Sequence, residues 1–365
     1  VLRLVPKIQN TIRGTVLKYV SFAFVTILTI ILLLGYNKRL FSTGFFNLFS
    51  ENRFSETGME KVKQFNPDEH TIYLPGLENK ELFESIEDLS ICRNEEVRKY
   101  IYLYLTSGRE YLINSIERSY IYLDIINEVM KKNPDIPSEI ALLPLLESGF
   151  DPLAVSRRNA VGLWQFIAGT AAHFDLKNNK WVEERRDIEK STEAAIKHLR
   201  YLYELLGSWD LALAAYNGGQ GQVMRAMDKS GSKDIWELIQ SGTLKRETSE
   251  YVPRYAALVI IYNNQRLFRI EKEIKKPEAE KTENVKLNYQ MNISRLSEKC
   301  GIDIAEIKRY NPELNSSLTP PSSENYTLRL TTDSAKKFNL NMGGEYIGMI
   351  THYQNYILEQ LPLEL

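Results

Sequence analysis

Residues 135–150 read DIPSEIALLPLLESGF, and the architecture of the chain turns on how they fold. Pro137 stands where the first turn of a helix tolerates a missing N–H. Gly149 suits the residue at which a chain leaves a helix. Between them IALLPLLE predicts a helix that starts near Asp135 and ends at Ser148-Gly149. Pro144 lies inside it, deletes one backbone hydrogen bond and bends the final turn. Glu147 then falls in that last turn, beside Leu143, Leu146 and Phe150. Apolar surroundings disfavour an ionised carboxyl, and the unpaired carbonyls of a helix end disfavour it further. A carboxyl that keeps its proton near neutral pH is what general acid catalysis at a glycosidic oxygen requires. Taken alone, PLLESGF is more often the mark of an ordinary solvated glutamate. Three segments downstream reverse those odds.

NAVGLWQFIAGTA at 159–171 offers Gly162 for close backbone approach, Trp164 as a flat face or a core ring, and Gln165 with two donors and an acceptor for sugar groups. AAYNGGQGQV at 214–223 ends a helix at Tyr216-Asn217, and the paired glycines turn the chain so that Asn217 faces a cleft or simply caps the helix. ETSEYVPRYAAL at 247–258 supplies Tyr251, whose phenol is placed to hydrogen-bond the carboxyl of Glu147. Pro253 there is structural, and Arg254 is an ion-pairing or surface residue.

Most glycosidases flank the scissile bond with two carboxylates. The available partners are Asp151, Asp187, Glu193, Glu247 and Glu250. Asp151 opens DPLA and reads as a turn cap, Asp187 reads as a helix start, and none has a spacing that marks it as the second group. With one acid, the substrate must supply the nucleophile, through the 6-hydroxyl or the 2-acetamido group of a muramic acid residue.

The stretch from about Val97 to Leu267 resembles the lysozyme-like lytic murein transglycosylases, and within that family the membrane-bound D group. The resemblance implies a mainly α, lysozyme-like catalytic domain that cleaves the β-1,4 bond between N-acetylmuramic acid and N-acetylglucosamine in peptidoglycan and leaves 1,6-anhydromuramyl ends. It makes Glu147 the catalytic acid and then base. Ser148 would orient it and contact substrate, Gly162, Leu163 and Gln165 would line the glycan cleft, Tyr216 and Asn217 would form its far wall, and Tyr251 would hold the carboxyl. Ile167-Ala168-Gly169 stands where the family often has Met-Pro, a departure that bears on loop shape. A hydrolase of the same bond and a non-catalytic peptidoglycan-binding protein are the alternative readings.

Around this domain the chain divides further. Residues 96–270 are helical in pattern, with Ile101, Leu105, Leu112, Ile116 and Tyr120 at helical spacing and a break at Ser107-Gly108. Further helices are expected over 191–206, 209–217, 219–228 and 248–265, and strand signals are nearly absent. Residues 271–285 read as a charged linker. Residues 286–332 form a small α+β module, two short amphipathic helices around Gly301 closed by a strand at 326–330. Cys300-Gly301-Ile302-Asp303 and Tyr310-Asn311-Pro312 give it a degenerate likeness to LysM, with Tyr289 to Ile293 in place of the usual Gly-Asp-Thr. Residues 333–365 are left as a C-terminal tail.

At the other end, residues 19–36 read YVSFAFVTILTIILLLGY without a charge. Eighteen residues of helix span about 27 Å, enough for a bilayer core. Arg3, Lys7, Arg13 and Lys18 precede the run and place the N-terminus in the cytoplasm. Residues 1–40 are therefore expected to be a cytoplasmic N-terminus with a transmembrane anchor, or alternatively a cleaved signal. Residues 41–95 read as a tether, and the rest as periplasmic, held at the inner membrane. No Cys follows the run to take a lipid.

Composition excludes other classes. A net charge of −1 supplies no field for nucleic acid. Cys92 and Cys300 make no disulfide framework, and His70, His173, His198 and His352 show no metal-ligand spacing. No metal and no cofactor are expected.

Overall fold

The computed structural model describes residues 95–277 and 280–342. Helix α1 (Glu95–Leu105) is followed by α2 (Arg109–Lys131), with the break at the expected Ser107-Gly108. Next come a 3-10 turn, Ser138–Leu142, and a single-turn helix α3, Leu143–Glu147. The one bent helix expected over this stretch is thus two short pieces. Pro137 is extended immediately before the 3-10 turn. Pro144 is the second residue of α3, where an N–H would have no partner within the helix. It therefore removes no bond and bends nothing; its effect is to favour a fresh helix start.

The remaining helices are α4 (Ala168–His173), α5 (Ile188–Leu206), α6 (Trp209–Gly218), α7 (Gln220–Ser230), α8 (Ile235–Gln240) and α9 (Arg246–Asn263). Their ends follow local chemistry. The Asp187 side chain caps α5 by accepting from the Lys190 N–H, and Gly207 closes that helix with φ 78°. Ser208 caps α6 through the Leu211 N–H. Helix α9 carries buried residues from Tyr251 to Ile261 almost without interruption. A helix apolar on all sides must be central, and α1, α3 and α6 all pack on it. This makes α9 the frame against which α3 and α6 are placed.

The C-terminal module pairs β1 (Thr282–Lys286) antiparallel with β2 (Thr327–Thr331), in register from Thr282 opposite Thr331 to Lys286 opposite Thr327. Between them lie α10 (Ile293–Cys300) and α11 (Ile304–Tyr310), and Gly301 separates the helices with φ 62°. Two boundaries differ from expectation. β1 begins inside the stretch expected to be a linker, because only Val285 of its residues is buried and a charged edge strand shows no alternation. Beyond β2 the chain is helical over 332–342, and Ala335, Phe338 and Met342 join the module's core.

The module is seated on the helical domain through residues 177–189. Val182 is buried in the module's own core. The Glu183 N–H donates to the Glu313 carbonyl at 2.8 Å, and the Asn315 N–H donates to the Trp181 carbonyl at 2.8 Å. Arg329 pairs with Glu189, and Lys177 with Glu324. No helix among the described residues is long and apolar enough to cross a membrane. The apolar run at 19–36 lies outside them, as do Cys92, His70, His352 and the tether expected at 41–95 except for Glu95, which begins α1.

Candidate active site

Glu147 is the last residue of α3 and is 8% exposed. The Tyr251 hydroxyl, from the first half of α9, donates to its Oε1. Burial raises the Glu147 carboxyl to about 7; the Tyr251 bond and the more distant Arg254 oppose the rise, and Glu247 adds slightly to it. Tyr251 is itself pushed well above the ordinary phenol range, by burial first and then by the neighbouring carboxyl. It therefore stays a proton donor at any pH where the protein is folded.

Part of the expected second cause, unpaired carbonyls at the helix end, is offset by partners. The Pro144 carbonyl accepts from the N–H groups of Ser148 and Phe150, both at 3.1 Å. The Leu145 carbonyl accepts from the Tyr111 hydroxyl at 2.6 Å, and the Gly149 carbonyl from Arg118 Nε at 2.7 Å. Loss of hydration is the largest cause that favours the protonated carboxyl. Gly149 and Phe150 both adopt positive φ, 60° and 58°. A Cβ on Gly149 would lie 2.6 Å from the Tyr111 ring and 2.7 Å from Ser115 Oγ. The turn that ends α3 is therefore fixed from behind by α2.

The other predicted residues converge on this turn. Ser148 is buried, and its hydroxyl donates to the Leu163 carbonyl at 2.9 Å, which joins the end of α3 to the 162–166 loop. The Leu163 side chain is wholly buried. Gly162 has φ 84°, and a Cβ there would lie 1.9 Å from the Arg185 carbonyl oxygen; the close approach expected of this glycine is to protein backbone. Gln165 also has positive φ, 50°. Its Nε2 donates to the carbonyls of Gly162 at 2.8 Å and Ala154 at 3.3 Å, and its Oε1 has no partner among the described residues. Trp164 is a core ring with no exposed surface, its Nε1 donating to Thr192 Oγ1 at 2.9 Å.

The Tyr216 hydroxyl donates to the Trp164 carbonyl at 2.8 Å, so α6 is tied to the same loop. Asn217 Oδ1 accepts from Thr248 Oγ1 at 3.1 Å, one turn before Tyr251 on α9. All eight predicted residues thus belong to one connected set drawn from α3, the 162–166 loop, α6 and α9. Of the five carboxylates weighed as a second group, Asp151 accepts from the Leu153 N–H and Asp187 caps α5, as expected. Glu193 is exposed on α5, Glu247 lies near Arg158 and Glu250 binds Arg246. None makes a hydrogen bond to Glu147.

The supports of the site carry no sequence signal of their own. Arg185 grips Glu183 with two nitrogens and donates its third to the carbonyls of Asn159 and Phe166, bracing the loop that carries Gln165. Tyr111 and Arg118, which hold the end of α3, sit in a helix whose pattern shows only an amphipathic face. A cleft of about 1520 Å³ lies elsewhere, between α2 and the C-terminal module, near Tyr120, Asp135, Trp209 and Tyr310. It contains none of the eight residues.

Residues 124–239 match the transglycosylase SLT domain, and residues 281–345 match the LysM-like domain of the lytic transglycosylase MltD. The helical domain is thus similar to the transglycosylase SLT domain, and the C-terminal module to the LysM-like domain of MltD. The chain is 32% identical over 246 residues to membrane-bound lytic murein transglycosylase D of Escherichia coli K12, a match covering 66% of this chain and 53% of that one. The chain thus spans about half the length of that relative. It is 35% identical over 150 residues to a putative tributyltin chloride resistance protein of Alteromonas sp. strain M-1, covering 41% of this chain and 71% of that one. Among solved structures, the 70 kDa soluble lytic transglycosylase of Escherichia coli aligns with a TM-score of 0.37 at 20% identity, over 51% of this chain and 32% of that one. Glu147 falls within the matched SLT segment, whereas Thr248 and Tyr251 lie beyond it, in α9.

Proposed function

We propose that this protein cleaves the β-1,4 bond between N-acetylmuramic acid and N-acetylglucosamine in peptidoglycan without water, with Glu147 as general acid and then base. The observation that carries the reading is a buried carboxyl, protonated up to about pH 7 and held by Tyr251, inside the segment that matches the SLT domain. Glu147 gives its proton to the glycosidic oxygen as the C1–O bond breaks, and the departing N-acetylglucosamine leaves with a free 4-hydroxyl. The muramic acid 6-hydroxyl attacks C1, and the Glu147 carboxylate takes the hydroxyl proton. The products are the cut strand and a 1,6-anhydro ring, and the enzyme returns to its starting protonation state. Gln165, Tyr216 and Asn217 would meet the glycan. Ser148, Gly162 and Leu163 are buried and would shape the groove from behind. Residues 19–36 would hold the protein at the inner membrane with the catalytic domain in the periplasm.

Incubating the purified full chain, in detergent, with murein sacculi and analysing the products by mass spectrometry tests this. Anhydromuramyl ends are expected. Reducing ends carrying oxygen from labelled water would instead identify a hydrolase, and binding without any turnover would identify a wall-binding protein.

A further inference from the structure

Thr248 is 2% exposed and sits between two amides. Gln222 Nε2 donates to its Oγ1 at 2.7 Å, and Thr248 Oγ1 lies 3.1 Å from Asn217 Oδ1. A threonine hydroxyl has one proton to give. Because an amide NH2 is only a donor, Gln222 occupies the oxygen as acceptor, and the single proton goes to Asn217 Oδ1. The opposite arrangement, with both amides turned over, would bury the Gln222 NH2 where its oxygen now lies without a partner. A buried N–H without an acceptor is rarer than an under-used carbonyl.

Gly218 supplies an independent sign that this trio is built. It is the last residue of α6 and has no positive φ, so its backbone does not need glycine. A Cβ there would lie 2.4 Å from Thr248 Oγ1 and 2.5 Å from Gln222 Nε2. The second glycine, Gly219, with φ 83°, makes the turn. Gly218 is there to let the trio close. The paired glycines expected to share one task therefore have two.

We infer that Thr248, braced by Gln222, is a positioning residue that fixes the Asn217 amide so that its N–H groups face the glycan. That wall of the groove then acts as a hydrogen-bond donor and meets an acceptor oxygen of the sugar chain. The inference rests on the proposed glycan-cleaving function, but its geometry can be read without turnover.

The test compares Thr248→Val, which keeps the shape and loses the hydroxyl, with Thr248→Ser, which keeps the hydroxyl, in the full chain. Thr248→Val should lower kcat/KM on sacculi about tenfold, with the alkaline limb of the pH profile unmoved because Glu147 and Tyr251 are untouched. Thr248→Ser should restore most of the loss. In an Asn217→Ala background, Thr248→Val should add little, since it acts through the absent amide. Asn217→Asp, which replaces donors by acceptors, should be worse than Asn217→Ala. Fully multiplicative losses, failure of serine to rescue, or an Asn217→Asp protein as active as the parent would overturn the inference. If the parent protein releases no anhydromuropeptides, the proposed function fails instead. The positioning is then read from the side-chain amide resonances of Asn217 in asparagine-labelled protein, which should move in Thr248→Val and hold in Thr248→Ser; resonances unmoved in both would defeat it.

Discussion

Glu147 and Glu313 make the same contact in two different regions. Each is a buried glutamate, 8% and 4% exposed, and each accepts from a buried tyrosine hydroxyl, Tyr251 in one case and Tyr326 in the other. Burial is the first cause that pushes each carboxyl up. Their surroundings differ. Glu313 lies at the junction of the C-terminal module with the helical domain. There the Asp187 carboxylate raises it further, Lys190 opposes the rise, and its own backbone carbonyl holds the Glu183 N–H. Glu147 also feels a cation and a second carboxylate, Arg254 and Glu247, but it lies inside the helical domain, beside the turn that joins Gln165, Tyr216 and Asn217 to the same spot. A raised carboxyl is therefore not by itself the mark of a catalytic acid. What distinguishes Glu147 is its neighbours, among them Gln165, whose Oε1 has no partner among the described residues.

Amide replacement at each position separates the two glutamates by the widest margin. Glu147→Gln should lower anhydromuropeptide release by about 10²- to 10⁴-fold, the range for loss of a general acid, while Glu313→Gln should leave release nearly unchanged. Equal losses in the two variants would erase the distinction. The tyrosines come next. Tyr251→Phe removes a bond that lowers the Glu147 pKa, so the alkaline limb of the rate profile should move to higher pH, and the rate should fall about ten- to a hundredfold. Tyr326→Phe should move neither, and should show only as a lower midpoint in urea.

Stability against pH gives the smallest effect. The folded-state pKa of Glu147 is raised, so the folded form binds more protons than the unfolded chain between about 4.5 and about 7. The parent protein should therefore lose stability as pH rises through that window, by on the order of 3 kcal/mol for this group. Glu147→Gln should be more stable than the parent by about that amount in urea titrations at pH 8, and no different at pH 4. A gain independent of pH would mean that packing, not ionisation, sets the difference. Glu313→Gln should remove a slope of the same sign.

Much of this is legible in the residues because it is local. Helical periodicity marks the helices, Ser107-Gly108 marks the break, and Gly207, Gly219 and Gly301 fall at the turns they suit. The ESG turn, GLWQF, YNGG and the tyrosine of ETSEY form an ordered set. Local rules fail where a distant partner takes over. Pro144 looks like a kink, but a 3-10 turn has already ended before it. The Leu145 carbonyl near the end of α3 looks unpaired, but Tyr111 reaches it from α2, and Arg118 reaches the Gly149 carbonyl of the turn that follows. Residues 282–286 look like a linker, yet they pair with β2 across more than forty residues of chain.

Neighbouring residues were enough to establish that the described part of the protein is mainly helical and that Glu147 closes a helix, whereas the side chains expected beside it came from the likeness of the ordered motifs to a known family. Packing had to be seen before dehydration, already suggested by the flanking apolar residues, could be ranked as the largest cause that raises the Glu147 carboxyl. The same holds for Gly162, which yields to the Arg185 backbone, and for Gly218, which makes room for Thr248 and Gln222. The division is one of range. Turn preference and periodicity are written in adjacent residues, whereas solvent exclusion and close approach depend on atoms that chain spacing does not bring together until the core has formed.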